Sequence, residues 1–127
     1  GRFPPMLPKS ERLTKSQVEA VLASGKKHSS KYFFATVLKD GAEPSSLPGF
    51  AVVVSKKTAV SAVDRNRLRR QTYNAIKEVK KIILARPNGK IYPVHAVLTV
   101  KREAKGVEFP ALIDDIGQLF KISGTIA

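Results

Sequence analysis

Ser55-Lys56-Lys57-Thr58-Ala59-Val60-Ser61-Ala62-Val63-Asp64-Arg65-Asn66-Arg67-Leu68-Arg69-Arg70 joins the end of an apolar run to the start of a long cationic helix. Asp64 reads as the N-cap, because its carboxylate can accept from the orphan amides of a first turn, and helix formers then continue to about Ala85. The helix is therefore expected to start at the arginines. At roughly 100° per residue, Leu68, Thr72, Ala75, Ile76, Val79 and Ile83 gather into one apolar stripe. Arg67, Arg70, Asn74, Lys77 and Lys81 fall opposite it, and Arg65, Arg69 and Lys80 flank it. One side suits a core and the other an anion.

Charged helix faces most often serve solvation alone. Here nine Lys or Arg between Ser55 and Lys81 meet only Asp64 and Glu78, so i,i+4 pairing cannot neutralise the face, and no carboxylate partner within the chain is expected for the flanking cations. Repulsion left uncompensated inside the chain points to an external polyanion. The whole sequence agrees: 127 residues at 43% hydrophobic composition suffice for one core, and the net charge is +13. Nucleic acid is the favoured partner over a membrane. The longest apolar run, Phe50 to Val54, is far short of the ~20 residues of a spanning helix, and no cationic helix has a broad aromatic face. The lack of cysteine excludes disulfides, a thiol nucleophile and a thiolate zinc site, and suits a reducing cytoplasm. Met6 reads as the native start, leaving 6–127 as a single RNA-binding domain and 1–5 as an appended remnant or a flexible N-terminus. The sequence before Met6 has no apolar segment of the signal-peptide kind.

Upstream of the basic stretch, Ser16 to Glu19 spells a capping box, and Val18, Val21 and Leu22 recur at helical spacing until Ser24 and Gly25. Lys26, Lys27, His28 and Lys31 form a second basic cluster. It leads into a strand over Tyr32–Leu38, with Tyr32, Phe34 and Thr36 on one face and Phe33, Ala35 and Val37 on the other. Lys39–Pro48 is a Gly, Pro and Ser loop, and Gly49–Ser55 a buried strand. Downstream, Pro87-Asn88-Gly89 is a turn, and Ile91–Val100 a strand with Val94, Ala96, Leu98 and Val100 on one side. After the basic loop Lys101–Gly106, a last helix starts at Pro110 with Leu112, Ile113, Ile116, Leu119 and Phe120 as its core stripe. The order helix, strand, strand, helix, strand, helix predicts an α/β (α+β) two-layer sandwich: a small mixed sheet with three helices.

An active site in the chain itself would need a nucleophile, an acid–base pair or metal ligands. His28 and His95 are the only histidines, and neither has a carboxylate nearby in sequence. Asp114 and Asp115 point apart on a helix and read as solvated surface rather than as a metal pair. No Walker-type glycine loop exists. The expectation is no catalytic residue and no metal site in this chain.

With Ser55-Lys56-Lys57, the block Arg65-Asn66-Arg67-Leu68-Arg69-Arg70, and Arg12-Leu13 before the first helix, the chain resembles the protein subunit of bacterial ribonuclease P from about Met6 to Phe120. The resemblance implies a partner protein of a catalytic RNA that holds the active site and its magnesium ions. It also implies tRNA 5′ maturation and a left-handed strand-helix-strand crossover, while no protein partner is implied. Lys56, Lys57, Arg65, Asn66, Arg67, Arg69, Arg70 and Lys77 would contact the ribonuclease P RNA. Val18, Leu22, Lys26, Lys27, Lys31, Tyr32, Phe34 and Thr36 would line a cleft for the precursor-tRNA 5′ leader. The sequence departs from the family twice. Thr58–Asp64 is one residue longer than usual and lacks the family's glycine, and Val18, Leu22 and Thr36 stand where the family usually has aromatics. Tyr32 and Phe34 either fill the core or supply flat stacking surfaces nearby. The alternative is a ribosomal-type RNA-binding protein without a processing role.

Overall fold

A four-stranded sheet in the order β1-β2-β4-β3 carries the fold. In the computed structural model, which describes residues 11–39 and 48–127, the elements are α1 Lys15–Ser24, β1 Lys26–Ser29, β2 Phe33–Leu38, β3 Gly49–Val53, α2 Ala62–Leu84, β4 His95–Val100 and α3 Phe109–Ile122. The readings of 1–5, of Met6 as the start, and of most of the Lys39–Pro48 loop fall outside the described residues. Strands β1, β2 and β4 pair antiparallel, while β3 and β4 pair parallel with α2 as their connection.

Strand alternation divides the sheet between two cores. Phe33, Ala35, Val37, Phe50, Val52, Ala96, Leu98 and Val100 face α2 and α3. There they meet the expected stripe of α2 and Leu112, Ile116, Leu119 and Phe120 of α3, with the Phe50 and Phe120 rings stacked 5.4 Å apart. On the opposite face Val21 of α1 sits on Ala51 and Val97, with Leu13, Val18 and Leu38 at the margin. α1 covers only part of that face, which matters for the site.

Several boundaries differ from the sequence reading. α1 is capped by Thr14 and not by Ser16: the Thr14 amide donates to Gln17 Oε1 at 2.8 Å, and the Gln17 amide to Thr14 Oγ1 at 3.3 Å. Thr14-x-x-Gln17 satisfies the capping-box pattern as well as Ser16-x-x-Glu19 does, and it lengthens the helix that buries Val21. α2 starts at Ala62, before the arginines, because Ser61 Oγ accepts from the Val63 and Asp64 amides. Asp64 lies within the first turn, where its charge meets the positive end of the helix dipole. Lys26–Ser29 is a fourth strand that its residues did not suggest. As an edge strand with mostly exposed side chains, it is held by backbone bonds and needs no apolar alternation, and its lysines discourage further strand addition. β4 begins at His95 rather than Ile91, since Pro93 has no amide to give a ladder. α3 starts at Phe109, with Pro110 in its first turn.

β3 is the other edge, and it too is covered. The Leu13 amide donates to Phe50 O at 2.9 Å, and the Val52 amide donates to the Tyr73 hydroxyl at 3.2 Å. Tyr73 lies beside the α2 stripe and was missing from it. Burial, the larger influence, raises its phenol pKa above the ordinary value, against the lowering effect of the Val52 amide.

Candidate nucleic-acid interface

The connection from β3 into α2 holds its lysines outward by fixing its own backbone. Ser55 O accepts from the Thr58 and Ala59 amides at 3.1 Å, Thr58 Oγ1 donates to Val100 O at 3.1 Å, and Ala59 is buried. Lys56 and Lys57 are left exposed at the bend, and Arg102 Nε donates to Lys57 O at 3.0 Å. Arg65 closes the loop: its Nη1 donates to Ala59 O at 3.0 Å and Val60 O at 2.6 Å. No described residue other than glycine has positive φ, so the longer loop works without the family's glycine. Arg65, expected as an RNA contact, thus also holds the loop through this clasp.

Beyond Arg65 the helix presents Asn66, Arg67, Lys77 and Lys81 to solvent, with Arg69 and Arg70 half-buried. Asn66 Oδ1 accepts from Arg69 Nη1 at 2.7 Å, which steadies that guanidinium beside Arg67. Lys105 joins Arg67 across a groove also lined by Asp64 and Gln71, so the loop after β4 adds cations that the sequence reading noted without assigning. The expectation that no carboxylate in the chain would pair with the flanking cations fails at Lys80, which forms an ion pair with Glu11. Lys80 lies at the border of the stripe, largely covered, and a covered ammonium is costly unless paired. Glu78 also lies 3.9 Å from Lys81.

The expected cleft residues separate. Pairing register puts Lys27 and Ser29 on the face of Thr36 and Phe34, while Lys26 and His28 share the face of Val37 and Ala35. Lys26 therefore leaves the cleft. Tyr32 precedes β2 and packs on the α2/α3 core, so it does not share the face of Phe34. Thr36 is buried under the end of α1, and a β-carbon on Gly25 would lie 2.7 Å from its methyl. Val18 is half-buried, Leu22 is 49% exposed and Phe34 50% exposed. Lys31 is exposed, with its ammonium 5.3 Å from the Tyr32 ring centre.

What α1 leaves open is a row across the sheet: Ser29, Phe34, Thr99 and Val53 are successive register partners. Beside the row, Phe34, Ser55, Thr58, Thr99 and Arg102 help line an open pocket of about 370 Å³. Lys101 organises its edge. The ammonium donates to Ser29 Oγ at 2.8 Å and Ser30 O at 2.5 Å, and stands 4.3 Å from the Phe34 ring centre, a cation–π contact. Behind it, Asp115 is not the solvated surface residue expected: its carboxylate accepts from Ser30 Oγ at 2.7 Å and from the Lys31 and Tyr32 amides at 3.2 and 2.9 Å. The turn that carries the cleft edge is thus tied to α3.

A cationic helix is thus entered from a Ser-Lys-Lys strand end, on a sheet of order β1-β2-β4-β3. The family described as Ribonuclease P matches residues 7–123. This chain belongs to the ribonuclease P protein family. Its fold is that of the Staphylococcus aureus RNase P protein, 18% identical, with a TM-score of 0.70 over 92% of this chain and 98% of that one. The RNase P protein from Thermotoga maritima is 20% identical, with a TM-score of 0.69 over 88% of this chain and 96% of that one. No curated protein matches the chain by sequence. Family membership makes it a subunit of ribonuclease P, acting with ribonuclease P RNA in tRNA 5′ processing, and decides against the ribosomal-type reading. Among the described residues no helix is long and apolar enough to cross a membrane.

Proposed function

We propose that the exposed side of α2, from Asn66 to Lys77 with Lys56 and Lys57, docks on ribonuclease P RNA, and that the open row beside α1 takes the single-stranded 5′ leader of precursor tRNA. In this reading the RNA performs the hydrolysis with its own magnesium ions in the cytoplasm, and the protein binds and positions. The observation that carries the leader assignment is Phe34, a large aromatic half exposed on a sheet face and steadied on one side by Lys101. Stacking on a flat ring tolerates any base, as a leader of varied sequence requires. Lys27, on the same face, and Lys101 supply positive charge for its backbone.

The test assembles the chain with ribonuclease P RNA and follows precursor-tRNA cleavage at low magnesium, where added protein should raise the rate. Phe34→Ala should weaken precursor binding by roughly ten-fold, given ~1–3 kcal/mol per stacked base, and leave mature tRNA affinity unchanged. Equal losses for precursor and mature tRNA would overturn the leader assignment.

A further inference from the structure

The alternation that turns Lys26 away from the cleft delivers it to a second cationic site. On the far face of β1, Lys26 and His28 meet the C-terminal end of α3, and with Lys39, Lys121, Ser123 and Gly124 they line a pocket of about 410 Å³. That volume lies within the ~300–1,000 Å³ range of small-ligand sites and admits a nucleotide unit. Three lysines converge there, and none of the described residues lining it is a carboxylate. Gly124, at φ 73°, makes the turn after α3 and leaves room for the Lys39 ammonium, which a β-carbon would strike. Ile122, 58% exposed, gives the rim an apolar surface for a ribose or base. Burial, then the charges of Lys26 and Lys39, hold the His28 pKa below its ordinary value, as expected for an imidazole among cations.

We infer that this pocket binds a backbone phosphate of RNA, as a contact separate from the α2 face and the leader cleft. The pocket stands at the β1 edge of the sheet, whereas α2 is entered from β3 at the other edge. An RNA engaged at both places is gripped across the width of the sheet. The inference rests on the reading that the chain binds RNA, and shared phosphodiester chemistry admits either ribonuclease P RNA or tRNA as the source.

The experiment measures binding of ribonuclease P RNA to the full chain, and of mature tRNA to the assembled holoenzyme, over a series of salt concentrations. Four proteins are compared: wild type, Lys26→Ala/Lys121→Ala, the charge-matched Lys15→Ala/Lys90→Ala, and Arg67→Ala/Arg70→Ala. The pocket variant should bind one RNA roughly ten-fold more weakly, with a log–log salt slope shallower by about 0.7 to 0.9, the share of one phosphate contact. Loss in the first arm assigns the phosphate to ribonuclease P RNA, and loss confined to the second assigns it to tRNA. Behaviour matching Lys15→Ala/Lys90→Ala in both arms would overturn the inference and leave the pocket to some other acidic partner. The α2 reading fails separately: if Arg67→Ala/Arg70→Ala binds like wild type while the pocket variant does not, the helix assignment falls and the pocket stands.

Discussion

Asp115 takes three hydrogen bonds from residues 83 to 85 positions earlier in the chain, and so joins α3 to the turn before β2. Asp114, its neighbour, is exposed. The two carboxylates look alike in sequence, since helical spacing states which way each points but not what waits there. Removing the acceptor leaves the Lys31 and Tyr32 amides and the Ser30 hydroxyl to find other partners. Asp115→Ala should therefore cost about 1–3 kcal/mol in urea unfolding, against a negligible change for Asp114→Ala. Equal midpoints for the two variants would show the turn to be held by β1–β2 pairing alone. Arg65 teaches the same at the other end of the site. It reads as the first cation of an RNA-binding block, yet its guanidinium closes the loop that carries Val60.

α2 was legible as an element because its stripe follows from residues three and four apart. All six stripe positions are buried. Ile76→Ala should cost roughly 2–5 kcal/mol by the cavity it leaves, whereas Arg67→Ala, on the exposed side, should leave the thermal midpoint unchanged. Tyr73 was not legible, since its role is to satisfy the Val52 amide on the open edge of β3. Tyr73→Phe leaves that amide unpaired and should cost about 1–3 kcal/mol at neutral pH. The raised phenol pKa fixes the sign of the pH dependence. Below the ordinary value of ~10 the phenol is neutral folded and unfolded. Above it the unfolded chain ionises first, so stability falls as pH rises through the folded pKa. Unfolding of Tyr73→Phe should lack this alkaline loss, and a wild-type midpoint that stayed flat above about pH 10 would refute the account.

At the scale of the molecule, charge decides what the domain meets. The chain carries +13, with cations on α2, on the loop after β4 and at the β1 edge. Among the helix cations, Arg65 is clasped by loop carbonyls and Lys80 by a carboxylate of the chain itself. If about six of the others contact phosphates, the affinity for ribonuclease P RNA should fall with salt at a log–log slope of about −4 to −5. Filter binding between low and moderate salt measures it, and a slope near zero would mean that the cations only solvate the surface.

Sequence by itself determined the helix stripes, the apolar strands, the basic block and the family, because each depends on residues within a few positions of one another. The edge strand Lys26–Ser29 is not legible there, since backbone bonds hold it and side-chain periodicity does not reflect them. Only the tertiary structure decided which charges are available to a partner and on which face. The register of β1 against β2 sends Lys27 to the cleft and Lys26 to the opposite pocket, though they are adjacent in the chain. The segment beside β3 brings Glu11 to Lys80. Such pairings depend on how distant segments pack, and a charged side chain carries no local sign of whether its partner will be a carboxylate of its own chain, a carbonyl it must close upon, or a phosphate from outside.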